Sequence, residues 1–151
     1  MTKEEALSKL QKYCAYQDRC HKEVRTKLLD IGVRGYDLEW VIAELISEKF
    51  LDEERFARSF VRGKYRMKKW GRVKIRIELK KRQISDYCIR KGLSEIDQEE
   101  YEHNLRELLK KKLDTLSGNS YQKKSKLAQF VIRKGYESDI TWQEINKLEL
   151  D

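Results

Sequence analysis

The sequence predicts an all-α protein built from three tandem three-helix repeats, and three observations support this fold class. The chain of 151 residues has no proline and only seven glycines, whereas sheet proteins need frequent turns that depend on these two residues. Charged residues make up 40% of the chain, so the core is thin and suits helices with narrow apolar stripes. In addition, one short apolar pattern occurs three times.

The repeated pattern is a pair of aliphatic residues four positions apart, with a turn beginning four residues later. The three pairs are Val24 and Leu28, Ile75 and Leu79, and Leu127 and Val131. A longer helical stretch precedes each pair, and a further apolar helix follows it. We therefore predict repeats at 1–51, 52–95 and 96–151, with helices near 3–16, 21–31, 37–48, 53–69, 72–82, 86–92, 97–116, 120–134 and 138–149.

Apolar spacing and capping residues define the individual helices. The first helix carries Ala6, Leu10 and Cys14 at helical spacing, and the third carries Leu38, Val41, Ile42 and Leu45. Asp52 is placed to cap the fourth helix, and Asp97 with Glu100 forms a D-x-x-E capping box before the seventh. Gly118 and Asn119 predict the break that follows the seventh helix, because both residues tolerate the left-handed conformation.

The segment 73–80 is ambiguous, because apolar and charged residues alternate along it as they do in a half-buried strand. It occupies the place of the middle helix in the other two repeats, where no alternation is seen, so we predict a helix and keep a strand as the alternative. In a helix, Val73 and Ile77 would lie on a different side from Ile75 and Leu79. We therefore expect this helix to be sandwiched between neighbours.

Several features predict a cytoplasmic protein that does not enter a membrane. The first residues lack the apolar stretch of an export signal, and no run approaches the roughly 18 apolar residues of a membrane span. Cys14, Cys20 and Cys88 are odd in number and irregularly spaced, so we interpret them as reduced thiols that fill apolar space.

Positive charge is concentrated in the middle of the chain. Residues 56–92 contain 14 basic and 2 acidic residues, whereas the segments on either side each contain 10 basic and 12 acidic residues. The net charge of +8 thus arises entirely from the middle segment. A solvated helix face is one explanation, but so strong a local excess favours binding to a polyanion or to an acidic protein surface.

Helical spacing arranges the basic residues of this segment in two rows. One row follows the fourth helix and the other follows the fifth, and a turn at Trp70 and Gly71 joins the two helices. The candidate partner-binding residues are Arg55, Arg58, Arg62, Arg66, Lys69, Arg72, Arg76 and Lys80. Tyr65 and Trp70 are candidates for stacking on unpaired bases if the partner is single-stranded nucleic acid. An acidic groove on a protein would attract the same cations and would fix the position in which the two proteins bind. Amino-acid composition does not distinguish a nucleic acid from an acidic protein as the partner.

The sequence offers little for catalysis. It contains no glycine-rich phosphate loop, no G-x-S-x-G and no H-E-x-x-H, and Cys14, Cys20 and His21 lack a fourth ligand at a familiar spacing. We therefore predict that the chain is not an enzyme and that it has no catalytic residues, metal or cofactor.

Five sequence blocks resemble the RecX regulatory proteins of bacteria. The most specific are F-L-D-E-E-R-F-A at 50–57 and W-G-R-x-K-I-R-x-E-L at 70–79. The others are A-L-x-x-L at 6–10, K-L-L-x-x-G at 27–32 and K-L-A-x-F-V-I-R-K-G-Y at 126–136. The resemblance extends over nearly the whole chain and implies an elongated curved array of three three-helix repeats. The chain departs from the family at Gln83, where a glycine is usual, so we expect this helix end to use another geometry or to continue further.

The resemblance implies a modulator of the RecA recombinase. Members of this family are thought to lodge in the groove of the RecA filament on single-stranded DNA and to restrain filament growth, ATP hydrolysis and strand exchange. By this resemblance we expect a monomeric inhibitor that acts in recombination, DNA repair and the SOS response. The alternative is a helical protein that binds single-stranded or duplex DNA directly and without sequence preference.

Overall fold

The computed structural model describes residues 1–150 and confirms the all-α fold, with nine helices and no strand in that range. The first three helices are α1 (Lys3–Tyr16), α2 (His21–Asp30) and α3 (Gly35–Ser47). The next three are α4 (Glu53–Lys68), α5 (Arg72–Lys81) and α6 (Asp86–Leu93). The last three are α7 (Gln98–Leu113), α8 (Ser120–Arg133) and α9 (Ser138–Asn146). None of these helices is long and apolar enough to cross a membrane.

Side-chain caps set the starts of several helices where the sequence predicts them. The Asp52 carboxylate accepts a hydrogen bond from the Arg55 backbone N–H at 3.0 Å, and Asp97 accepts from the Glu100 N–H at 3.0 Å. The Asn119 side chain accepts from the backbone of Gln122 at 2.8 Å and so caps α8. Each bond satisfies an amide that the first helical turn leaves without a partner. The predicted caps at Asp52 and Asp97 are thus confirmed, and of the predicted D-x-x-E box the structure shows the half formed by the Asp97 side chain.

The segment 73–80 is helical, so the strand alternative is wrong. Ile75 and Leu79 are fully buried on one side of α5, as the repeated pattern predicts. Val73 is 42% exposed and Ile77 is 50% exposed, which overturns the expectation that α5 is sandwiched between neighbours. The alternation of apolar and charged residues therefore has two sources on α5. Ile75 and Leu79 form its buried face, and Val73 and Ile77 form a second apolar face that is exposed to solvent.

The three middle helices end in the same way, although only two of them use glycine. Gly32, Gln83 and Gly135 have φ angles of +86°, +60° and +103°. In each turn the following N–H bonds to a carbonyl five residues earlier, as from Ile84 to Leu79 at 3.2 Å. The expectation that Gln83 changes the helix end is wrong, because the chain adopts the left-handed turn despite its side chain.

Replacing Gln83 by glycine is expected to raise the free energy of unfolding by about 1 kcal/mol, because L residues pay a penalty of that order at positive φ. Urea unfolding followed by circular dichroism measures the change. Gln83→Ala is the matched control, since it removes the same polar side chain but keeps the Cβ. Equal effects of the two substitutions would contradict the backbone explanation.

The helices form two compact units. Unit 1 comprises Met1–Phe60 and Leu79–Gly92, and unit 2 comprises Val61–Glu78 with the chain from Leu93 onward. In unit 1 the α1–α3 core includes Leu10, Leu28 and Leu45, each fully buried. In unit 2, Tyr101 and Leu105 are fully buried. These units group residues that contact one another in the fold, whereas the predicted repeats are consecutive segments of the sequence. The two divisions are therefore different, and the repeat boundaries at 51/52 and 95/96 stay predictions.

All three cysteines are free thiols buried in the interior. Cys20 is fully buried, and burial raises the pKa of its thiol to about 11. A raised pKa keeps the sulfur in the thiol form at neutral pH, which is the inert state of a structural cysteine. The interpretation of these residues as apolar filler is consistent with this environment.

Candidate functional site

The candidate cations in unit 1 are engaged in contacts within the chain. The Arg55 guanidinium bonds to the Asp18 carboxylate at 2.8 Å and to the carbonyl oxygens of Lys49 and Phe50 at 3.0 and 3.1 Å. Arg58 pairs with Glu54 at 3.1 Å, and Lys80 pairs with Asp86. These contacts balance part of the charge that the sequence places on α4 and α5, and Arg55 in particular fastens the loop before α4.

Two candidate cations in unit 2 are also paired. The Arg62 guanidinium lies 3.1 Å from the Glu95 carboxylate. The Arg72 guanidinium lies 2.8 Å from Glu137 and 4.1 Å from the centre of the Tyr101 ring. Arg72 therefore joins the start of α5 to the helices that follow, and its role as a partner contact stays a prediction.

Arg66, Lys69 and Arg76 differ from the other candidates. All three side chains are exposed in unit 2, and none of them forms an ion pair within residues 1–150. Arg66 lies in the last turn of α4, Lys69 follows that helix, and Arg76 lies in the middle of α5. Their charges face water without a local counter-ion, so we name them the open cations.

The open cation Arg76 shares its helix face with two aliphatic side chains. One side of α5 carries residues spaced i, i+3 and i+4, namely Val73, Arg76 and Ile77. We name this surface the α5 face. Sequence reasoning missed it, because the alternating pattern was attributed to burial on both sides. The sequence nevertheless indicates this face, because Val73 and Ile77 are aliphatic and lie four residues apart.

The two aromatic candidates have different environments. Tyr65 is 5% exposed, and its hydroxyl accepts a hydrogen bond from the Asn104 amide at 2.7 Å. A ring buried in this way is not available to stack on a base, so the base-stacking role predicted for Tyr65 is withdrawn. Trp70 is partly exposed, with the ammonium groups of Lys64 and Lys74 at 5.1 and 4.5 Å from its ring. Its predicted role is still open.

The W-G-R block at 70–72 forms a tight junction inside unit 2. The Gly71 N–H donates to the Lys134 carbonyl at 2.8 Å, and the Val73 N–H donates to the Gly135 carbonyl at 2.9 Å. A Cβ at Gly71 would overlap the backbone of Gly135 and Tyr136. The glycine is therefore required by the close approach of two backbones.

A partly buried polar network completes this junction. The Tyr101 hydroxyl donates to Glu137 at 2.5 Å and accepts from the Arg72 backbone N–H at 3.0 Å. The ring of Tyr101 stacks on that of Tyr136, with centroids 4.9 Å apart. Burial and the neighbouring Glu137 carboxylate raise the pKa of Tyr101, so its hydroxyl stays protonated and can donate at any ordinary pH.

Comparison with protein families gives two adjacent matches. Residues 52–93 match the model described as the second three-helix domain of RecX, and residues 99–145 match the third three-helix domain of RecX. Together the matches extend from α4 into α9 and include all of the open cations.

Individual relatives agree with the family models. A RecX regulatory protein of Prosthecochloris aestuarii is 28% identical over 95% of this chain and 93% of its own length. A RecX regulatory protein of Clostridium botulinum is 35% identical over 81% of this chain, and one of Oceanobacillus iheyensis is 28% identical over 91%. The matches span 58% and 51% of the lengths of these two relatives.

Solved structures have the same fold. The crystal structure of RecX from Lactobacillus salivarius superimposes with a TM-score of 0.88 over 97% of this chain and 96% of its own, at 24% identity. A second crystal structure of a RecX regulatory protein gives a TM-score of 0.86 over 96% of this chain and 73% of its own, at 21% identity. The family models, the sequence relatives and the common fold agree, and this chain belongs to the RecX family of regulatory proteins.

Proposed function

We propose that this chain is a non-catalytic regulator that binds the RecA recombinase filament and inhibits its ATPase, its extension and strand exchange. Membership in a family of regulatory proteins supports a regulator in processes related to RecA. In this proposal the protein acts as a monomer in the cytoplasm, in recombination, DNA repair and the SOS response. The open cations and the α5 face form the binding surface.

The α5 face is the observation that favours a protein partner. A phosphate backbone is bound by cations and gains little from exposed aliphatic side chains. An acidic protein surface can bury Val73 and Ile77 while it pairs with Arg76 and so obtains both apolar and electrostatic contributions. About half of each aliphatic side chain remains exposed, so part of this apolar surface is still available for burial by a partner.

The test is the ATPase rate of the cognate RecA on single-stranded DNA, titrated with this protein from far below stoichiometric amounts up to parity. Inhibition that persists when single-stranded DNA is added in excess identifies the filament as the target. Inhibition that excess DNA abolishes would contradict the proposal, because the protein would then be competing for nucleic acid alone.

Reversing the open cations is expected to raise the concentration needed for half inhibition by about tenfold, because close charge pairs across an interface contribute on this scale. The variant is Arg66→Glu, Lys69→Glu and Arg76→Glu. A matched control reverses three exposed lysines elsewhere, Lys9→Glu, Lys111→Glu and Lys126→Glu. If both triple variants lose the same potency, the effect is one of net charge and the proposed surface is wrong.

Direct and sequence-independent DNA binding is the second candidate function, favoured by the two lysine ammonium groups that lie close to the partly exposed Trp70 ring. Val73→Gln with Ile77→Gln separates the two candidates, because glutamine retains helix propensity and adds no charge. A filament regulator should lose potency in this variant while any binding to bare DNA is unchanged. Full retention of inhibition would favour the DNA-binding function.

A further inference from the structure

Arg62 is paired with a carboxylate, yet it lies in line with an open cation. Arg62 and Arg66 are four residues apart in α4, which places both on one side of that helix within unit 2. Arg66 is exposed and forms no ion pair within residues 1–150. The Arg62 side chain is itself 41% exposed, so it is also within reach of a partner that binds Arg66.

The carboxylate that pairs with Arg62 comes from a turn that the fold holds in place. Glu95 lies in the turn between α6 and α7, and its carboxylate accepts a hydrogen bond from the Arg62 Nη1 atom at 3.1 Å. The next residue, Ile96, is buried and donates its N–H to the Leu93 carbonyl at 3.1 Å, and Asp97 caps α7. The backbone of Glu95 is therefore positioned before any partner binds.

The first predicted repeat contains a similar contact that does not use a positive charge. Gln11 follows the fully buried Leu10 of α1. In α4, Arg62 likewise follows the fully buried Val61. The Gln11 amide donates to both carboxylate oxygens of Glu48, which directly follows α3, at 3.1 and 3.3 Å. A neutral side chain is thus sufficient for this contact, so the contact alone does not explain the positive charge at position 62.

We infer that Arg62 is a further cation of the binding surface and that Glu95 masks it, which weakens binding to an acidic partner. This inference rests on the proposed function. The Glu95 carboxylate offsets the charge that Arg62 presents, and it repels a carboxylate that approaches the guanidinium. The bond to Glu95 uses only one terminal nitrogen, so the other nitrogens of the guanidinium can bind a partner carboxylate once this repulsion is removed.

Glu95→Gln is expected to lower the concentration of the protein that half inhibits the RecA ATPase by about threefold, which is the scale of a partly exposed ion pair. Glutamine retains an oxygen that accepts the bond from Arg62, so the turn is kept while the negative charge is removed. Arg62→Gln alone should change this concentration by less than about twofold, because the masked cation contributes little. Combining the two substitutions should abolish the gain, which a double-mutant cycle measures.

Glu39→Gln is the matched control. Glu39 forms a bidentate ion pair with Arg25 in unit 1, at 2.7 and 3.0 Å, so this substitution also removes one negative charge and releases one arginine. Arg25 is not among the candidate cations, and the inhibitory concentration should stay the same. An equal gain in the two variants would show an effect of net charge, and no gain from Glu95→Gln would overturn the inference.

A second measurement tests the mask without RecA. Phenylglyoxal modifies accessible arginines, and mass spectrometry gives the rate at each position. Arg62 should react more slowly than Arg66 in the unaltered chain, and Glu95→Gln should raise its rate to that of Arg66. Equal rates in the unaltered chain, or a rate that Glu95→Gln does not change, would refute the mask even where RecA is inhibited. A chain that shows the mask but does not inhibit the ATPase would contradict the proposed function, and with it the role of Arg62 in binding.

Discussion

The free energy of unfolding of unit 2 is expected to fall by about 3 kcal/mol when Gly71 is replaced by alanine, because overpacking against rigid backbone costs 1–3 kcal/mol or more. The added Cβ would meet backbone atoms of Gly135 and Tyr136, which cannot turn aside as a flexible side chain can. The helices must then separate, and the hydrogen bonds from Gly71 to Lys134 and from Val73 to Gly135 would lengthen. Urea unfolding followed by circular dichroism measures the loss.

Gly63→Ala is the matched control for this substitution. Gly63 lies inside α4 in the same unit, and a Cβ built there meets nothing within 4 Å. Alanine should therefore raise the free energy of unfolding by about 0.5–1 kcal/mol through its better helix propensity. Should both substitutions shift stability in the same direction, the close-approach explanation for Gly71 fails.

Tyr101→Phe is expected to lower the free energy of unfolding by about 2 kcal/mol, because it removes a hydrogen bond to the Glu137 carboxylate and takes this acceptor from the partly buried Arg72 backbone N–H. The hydroxyl serves the Arg72 N–H as an acceptor and the Glu137 carboxylate as a donor. The ring itself is preserved and can still stack on Tyr136, so the change reports the hydroxyl alone. Thermal and urea unfolding both measure it.

Tyr136→Phe, in the ring that stacks on Tyr101, is expected to have no destabilising effect. The Tyr136 hydroxyl is buried and has no hydrogen-bond partner within residues 1–150, and burial raises its pKa. Removing a buried hydroxyl without a partner relieves a desolvation cost, so stability should be unchanged or rise by up to about 1 kcal/mol. A loss as large as that of Tyr101→Phe would show that the two hydroxyls are equivalent and that the network has been misassigned.

The helices could be predicted from the sequence because their signals are local. The Asp52 and Asp97 carboxylates cap the helices that follow them, and the pairs four residues apart mark the buried faces of α2, α5 and α8. Gln83 shows the limit of local reasoning. The turn requires a left-handed backbone conformation at this position. The buried side chains of Leu79 and Ile84 hold Gln83 in that conformation, although a residue with a Cβ disfavours it.

The candidate site was only partly predictable, because charge patterns do not reveal which partners a side chain finds in the fold. Arg62 meets Glu95 and Arg72 meets Glu137 across long stretches of sequence. Tyr65 packs beside Tyr101 of another helix, a contact that the local sequence does not reveal. The open cations could be recognised only after these pairings were known.

The junction at Gly71 also bears on how such a chain could gain or lose a repeat in evolution. The start of α5 is closed by backbone atoms of the third repeat, and Tyr65 and Arg72 depend on Asn104 and Glu137 for their partners. A duplication or deletion at the predicted 95/96 boundary would break these bonds and expose the aromatic stack. Repeat number can therefore change without loss of the fold only when the same event brings a new glycine and a new Tyr–Glu pair to the cut end.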